Sequence, residues 1–331
     1  MDISFETGFA LPETSAGVAL DPGLTYDVLI LGAGPAGLSS AIYLMRKRLD
    51  TAIITENVGG QVTWTASVEN YLGYRVIEGV QLVERFNEQL GDFSIGLGLN
   101  EKVVALTGKA DLFEVRTASA SFTARTLILA TGKQPRTLNV PGEKRLLGRG
   151  VAYCAICDAP LYKGKVTAVV GGGSSGLEAA IDLAALCPRV YLLERGEKLT
   201  GDEVLREKIE GLDVIEVLLD AEVLEILGED RVKAVRFRRA GAEALEEIAV
   251  EGLFVEVGLD PNSGPFRGFV ELNERGEVEV DCRGRTSVEG IFAAGDVTSV
   301  PFKQIVIAAG DGAKAALSAH DYILRRKDDG G

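Results

Sequence analysis

Residues 26 to 48 read YDVLILGAGPAGLSSAIYLMRKR, and residues 166 to 194 read VTAVVGGGSSGLEAAIDLAALCPRVYLLE. Each stretch opens with an apolar run long enough for a buried parallel strand, turns on glycines and continues as a helix. Gly32, Gly34 and Gly37, with Pro35 and Ala36 between them, make G-x-G-x-x-G in the first; Gly171, Gly173 and Gly176, with Ser174 and Ser175, make it in the second. The spacing asks for glycine because the turn is tight, the backbone must approach a pyrophosphate closely, and the helix must pack against its strand. The phosphate charge then sits on exposed N–H groups at the helix N-terminus. An acid roughly 20 residues further on is expected to hold a ribose hydroxyl. Glu56, after the strand TAIIT, and Glu194, closing the second stretch, stand there. In the second helix Leu177, Ala180, Ile181, Ala184 and Ala185 keep one apolar face while Glu178 and Asp182 point away, and Pro188 stops it. One such fingerprint is a weak signal, but two complete units imply two bound dinucleotides. A flavin and a nicotinamide are the evident pair, and the fold class is α/β with two Rossmann-like dinucleotide-binding domains.

Outward from these stretches, 331 residues are long for one core, and 40 glycines with 46% hydrophobic residues describe a compact, turn-rich chain of two domains. A formal charge of -14 without a basic patch repels phosphate backbones and anionic lipid surfaces, so neither nucleic acid nor membrane is expected as a partner. No apolar run approaches the roughly 18 residues of a membrane span. The start, MDISFETGFALPETSAG, lacks the basic region of a secretory signal. Only four cysteines occur, and Cys187 and Cys282 are far from any partner in sequence, which fits a reducing compartment; a cytoplasmic location is the expectation.

Between the two units lies VAYCAICDAP (151 to 160), with Cys154 and Cys157 three apart and Asp158 next to the pair. A zinc site needs two more ligands, yet no second C-x-x-C exists and the single histidine, His320, is isolated, so no metal is expected. A buried, inert pair is a second reading. The third is redox: a flavin accepts hydride from a nicotinamide and passes both electrons to a disulfide. Exchange with another disulfide then needs a thiolate, and Asp158 is placed to manage the proton, unless it merely caps a turn. Near the end, EGIFAAGDVTSVPFKQIVIAAGDGAKAAL (289 to 317) reads as a short strand, the turn Ala294-Gly295-Asp296 and a small-residue helix.

Taken together, GAGPAG (32 to 37), GGQ (59 to 61), VEN (68 to 70), ATG (130 to 132), CxxCD (154 to 158), GGGSSG (171 to 176), AAGDV (293 to 297) and FKQI (302 to 305) resemble the low-molecular-weight thioredoxin reductase family. Within it the chain is most similar to the flavoprotein subunits of alkyl hydroperoxide reductase. The resemblance runs from about residue 26 to residue 325. It implies that the first fingerprint binds FAD together with Glu56, Gly60, Gln61, Asn70, Ala130, Thr131, Gly132, Gly295 and Asp296, with Lys303 and Gln304 near the flavin ring. The second fingerprint would bind the nicotinamide nucleotide. The resemblance further implies an inserted arrangement: an extension over 1–24, an FAD domain over 25–135 and 253–331, and a nicotinamide domain over 136–252 that carries the dithiol. Cys157 is then the flavin-side sulfur, Cys154 the one that attacks the protein substrate, and Asp158 the family's acid.

NADPH-using members carry His-Arg-Arg and a further arginine after the second module's second strand. Here LLERGEKLTGD puts Glu194 in the histidine position, keeps Arg195 and replaces the other arginines by Gly196 and Thr200. An acid suits two free ribose hydroxyls and repels a phosphate, which favours NADH over NADPH. The hydroperoxide reductase flavoproteins carry an additional thioredoxin-like domain; about 25 residues without cysteine precede the first strand here, so a separate acceptor is expected. Candidates are thioredoxin-, glutaredoxin- or peroxiredoxin-system proteins, and the family implies a homodimer. A dithiol oxidase passing electrons to oxygen, a ferredoxin-fed reductase and a non-enzymatic flavin-binding sensor are the alternatives, the last opposed by the intact CxxCD.

Overall fold

The computed structural model describes residues 17–65, 67–109 and 112–328; the reading of the first 16 residues lies outside that range. The chain divides into two compact units. Among the described residues, one holds 17–63, 71–134 and those from 260 on; the other holds 64–70 and 135–259.

In the first unit the strand Thr25–Ala33 is central because Val28, Leu29, Ile30 and Leu31 are all fully buried. A strand covered on both faces reads as a continuous apolar run rather than an alternation. Among the described residues its sheet runs Gly17–Val18, Ile95–Leu99, Thr51–Val58, Thr25–Ala33, Ser121–Leu129, Leu112–Thr117, Val103–Lys109, with Ile291–Ala293 also on Ser121–Leu129. The first five are parallel, and the hairpin strands after them are antiparallel. Strand order reverses beside Thr25–Ala33, so the carboxyl end of that strand is a topological switch point, where ligands of open α/β sheets bind. Helices Pro35–Arg46 and Ile305–Asp328 pack closely: the Ser40 hydroxyl donates to the Gly312 carbonyl at 2.9 Å, and a Cβ on Gly312 would lie 2.0 Å from the Ala36 carbonyl oxygen. The opposite face closes over Phe113, Phe122, Phe266 and Ile291.

The second unit repeats the plan. Its parallel sheet runs Ile215–Leu218, Arg189–Leu193, Val166–Val170, Gly252–Val255, Val151–Ala152. Leu177, Ala180 and Leu183 of helix Ser174–Ala184 cover one face with Phe254. The antiparallel strands Ala221–Leu227, Ala234–Arg239 and Leu245–Ala249 supply Ile226, Val235 and Phe237 to the other. The switch point falls between Val166–Val170 and Gly252–Val255.

Apart from the short excursion of 64–70, the described chain enters the second unit at 134/135 and leaves it at 259/260. The 259/260 crossing lies beyond the 252/253 boundary read from the sequence. The physical reason is that Gly252–Val255 pairs with Val166–Val170 and with Val151–Ala152, so the apolar run GLFV is a central strand of the inserted unit. Residues 64–70, which the sequence placed with the flanking segments, belong to the inserted unit by their packing.

Candidate active site: two glycine cradles and a disulfide

The two fingerprints build the same local object. Gly32 and Gly171 have φ of +108° and +125°, values that disfavour any side chain, and a Cβ on either would lie 2.3 Å from a carbonyl oxygen, that of Ala130 or Glu256. A Cβ on Gly37 or Gly176 would lie 1.9 Å from the carbonyl of the first glycine of its own motif, so only glycine lets the helix approach its strand. Gly34 and Gly173 cap the two helices, with no side-chain hydrogen bond at either cap and nothing within 4 Å of an added Cβ. Each helix thus begins with first-turn N–H groups left to an outside acceptor and open space in front of them. That arrangement fits a pyrophosphate in both units.

The cradles differ at their acid. Val170 pairs with Leu193, and the next residue, Glu194, accepts the Gly172 N–H at 2.5 Å and the Gly196 N–H at 2.7 Å. In the first unit Leu31 pairs with Ile54, and the next residue is Thr55, whose hydroxyl accepts the Ala33 N–H at 3.2 Å. Glu56 therefore stands one residue beyond the position of Glu194, exposed, with Lys102 3.5 Å from its carboxylate. Arg195 is exposed beside Glu194.

The remaining residues implied for FAD gather in the first unit, apart from Asn70, which lies in the unit of the disulfide. Gly60 (φ +56°) lies near the Gly34 turn, and Gln61 donates its side-chain N–H to the Lys133 carbonyl at 2.7 Å. Ala130 N–H donates to Leu31, and Gly132 (φ +69°) has open space where a Cβ would be. Gly295 (φ +73°) presses on Ala36 and leads into Asp296, which burial pushes up while Lys303 and Lys133 pull it down. Lys303 donates to the Thr298 carbonyl at 2.6 Å, just ahead of Gln304 and the helix from Ile305.

Three participants here escaped the sequence. Asn262 clamps the ATG turn by donating to the Thr131 carbonyl at 2.8 Å and accepting the Thr131 hydroxyl at 2.9 Å. Lys133 and Glu277 form a buried ion pair, each side chain 8% exposed, with Lys303 3.7 Å from the same carboxylate. Burial pushes Glu277 up, but hydrogen bonds from Lys133 and Asn273 outweigh it and hold it below the usual range. Burial, then Lys133, lowers Lys303.

The inserted unit carries a Cys154–Cys157 disulfide with Cα atoms 5.4 Å apart. Edge strand Val151–Ala152 delivers the chain, and one helical turn, Ala155–Asp158, follows, with Cys154 at its cap and the Asp158 N–H bonded to the Cys154 carbonyl at 3.1 Å. Ala155 and Ala159 anchor that turn in the core beside Leu177 and Phe254, while Ile156 is exposed. Asp158 is pushed up to about 7 by burial, so near neutral pH it both holds and releases a proton. Tyr162, raised to about 12 by burial and then by Asp158, stacks edge-on against Phe254 at 5.1 Å. A second carboxyl, Glu256, follows the strand Gly252–Val255 and accepts the Ala155 N–H at 3.3 Å. Nothing local marks Glu256 in the sequence, because about 100 residues separate it from the thiols. Among the described residues no group of three or more His, Cys, Asp or Glu could hold a metal, and no helix is long and apolar enough to cross a membrane. Cys187 is buried and Cys282 exposed.

The chain is similar to the alkyl hydroperoxide reductase F protein of Pseudomonas putida, 46% identical over 304 residues that make up 91% of this chain and 58% of that protein. It is also 43% identical over 303 residues to the NADH dehydrogenase of Bacillus subtilis, covering 91% of this chain and 59% of that protein. The chain thus spans about three fifths of these relatives' length. The solved thioredoxin reductase of Streptococcus pyogenes superposes with a TM-score of 0.87 at 36% identity, covering 91% of this chain and 99% of that one. The family described as pyridine nucleotide-disulphide oxidoreductase matches residues 26–312. With two glycine cradles and a disulfide in place, the chain belongs to the pyridine nucleotide-disulphide oxidoreductase family.

Proposed function

We propose that the chain is a flavoprotein disulfide reductase that moves electrons from NADH through FAD to the Cys154–Cys157 disulfide and on to a separate protein disulfide. The observation that carries this is the company the disulfide keeps: it lies in one compact unit with a nucleotide cradle and a carboxyl that titrates near neutrality, while a second cradle occupies the other unit. Bound FAD would supply the relay between a two-electron hydride donor and a two-electron disulfide.

This chain's residues divide the work. Gly32, Gly34, Gly37, Gly295 and the Asn262-clamped turn at Thr131–Gly132 bind the flavin nucleotide; Gly171, Gly173 and Gly176 bind the nicotinamide nucleotide. Asp158 protonates the sulfur released when the disulfide opens and takes the proton back when it closes. Cys154 attacks the partner. For the donor, Glu194 supports NADH: its carboxylate lies over the cradle where a ribose phosphate would be repelled, and a relative carries the name NADH dehydrogenase. A thioredoxin-, glutaredoxin- or peroxiredoxin-like acceptor, a cytoplasmic location and a homodimer complete the reading.

The test is anaerobic rapid mixing of the flavin-loaded protein with NADH or NADPH, followed by an oxidised thioredoxin-fold acceptor. Flavin bleaching by NADH and reoxidation by the acceptor are expected, with Cys154→Ser retaining the first and losing the second. Turnover of the acceptor by Cys154→Ser at the parent rate refutes the assignment.

A further inference from the structure

Glu256 stands where two functions meet. Its backbone ends the strand Gly252–Val255 at the switch point of the inserted sheet: its N–H donates to the Val170 carbonyl at 2.8 Å, and its own carbonyl is the atom that forbids a side chain on Gly171. Its side chain reaches the other way, to the N–H of Ala155, the residue that follows Cys154. That N–H belongs to the residue directly after Cys154, at the start of the disulfide's helical turn, so the bond holds the carboxyl close to the Cys154 sulfur. An ionised Glu256 places a like charge beside a Cys154 thiolate and disfavours it.

We propose that Glu256 is a positioning residue of the dithiol: its carboxylate, seated on the Ala155 N–H, sets how readily Cys154 ionises and therefore how fast it attacks a partner disulfide. This rests on the reading that Cys154 is the exchange thiol. In the step concerned the Cys154 thiolate attacks one partner sulfur and releases the other as thiolate. The Cys157 thiolate then attacks Cys154, which restores the Cys154–Cys157 disulfide and releases the second partner thiolate. The two protons of the reduced pair end on the partner. Glu256 acts on the first attack only, by disfavouring the Cys154 anion while it is itself ionised.

One neighbouring charge bears on it: Glu178, on helix Ser174–Ala184, opposes its ionisation, while Asp158 closes the one-turn helix whose first N–H Glu256 accepts. Burial pushes Glu256 up to about 7, with the Ala155 N–H pulling the other way and Glu178 adding to the rise. Its charge thus changes over the pH range in which thiols begin to ionise.

The test uses full-length Cys157→Ser, in which Cys154 is the one remaining thiol of the pair. The pH dependence of iodoacetamide alkylation is followed on the Cys154 peptide by mass spectrometry, which separates it from Cys187 and Cys282. Adding Glu256→Gln keeps an acceptor for the Ala155 N–H and removes the charge. It is expected to move the alkylation midpoint to lower pH and raise the rate at pH 7 by about threefold or more. Adding Glu256→Asp instead is expected to keep the midpoint on the parent side. An unchanged or higher midpoint with Gln, or the same downward shift with Asp, overturns the proposal. Capture of a small aromatic disulfide by Cys154→Ser rather than by Cys157→Ser would instead fail the role of Cys154 in exchange, while the midpoints still judge Glu256.

Discussion

Asp158→Asn isolates the cost of keeping a carboxyl beside the disulfide. Raising that carboxyl from 3.8 to about 7 corresponds, at about 1.4 kcal/mol per tenfold in proton affinity, to roughly 4 kcal/mol withheld from the ionised form. Asp158 is mostly buried but keeps some contact with solvent, which reduces the realised value to about 1–2 kcal/mol. Because the folded value lies above the unfolded one, the stability tied to the neutral acid is complete below about pH 4 and is lost as pH rises through 7. Asparagine cannot ionise, so the variant does not share that loss. Calorimetry of the oxidised chain at pH 5 and pH 8 should show the stability of Asp158→Asn relative to the parent increasing by about 1–2 kcal/mol between the two. A difference independent of pH would refute the argument. The same variant should slow electron transfer from flavin to disulfide by about a hundredfold, leaving the hydride step intact, because a proton donor is gone.

Other expectations can be measured with the same protein. Gly176→Ala puts a Cβ 1.9 Å from the Gly171 carbonyl oxygen, and NADH-dependent flavin bleaching should fall by at least about tenfold at unchanged flavin content. Glu194→Gln removes the charge opposed to a ribose phosphate, so the ratio of bleaching rates should move toward NADPH by about tenfold. Lys133→Ala leaves Glu277 buried with weaker company and should cost about 3 kcal/mol in urea unfolding, most of it recovered by pairing it with Glu277→Leu.

The glycine fingerprints, the strands and helices around them and the C-x-x-C pair were legible because each is a short-range pattern: a fixed spacing, one apolar run, one helical face. The boundary near residue 252 was misplaced because GLFVEVGLDP joins a central strand to a crossing without a break in its apolar character; only pairing with Val166–Val170 separates them. Glu256, Asn262 and the Lys133–Glu277 pair were invisible for a different reason. Lys133 and Glu277 are 144 positions apart, and each side chain reads as an ordinary surface charge until the fold closes over both. Thr55 carried no signal either, since a threonine at a strand end has many uses, and its equivalence to Glu194 emerges only from the sheet register.

That equivalence has a consequence for traffic between the two cradles. FAD and the pyridine nucleotides share an adenosine diphosphate half, so two sockets with the same glycine geometry would each accept the other's ligand. At the matching register one socket presents a neutral hydroxyl and the other an anion already held by two backbone amides. Exchanging these two side chains would ask whether a single register position keeps a resident cofactor and a passing coenzyme from trading places.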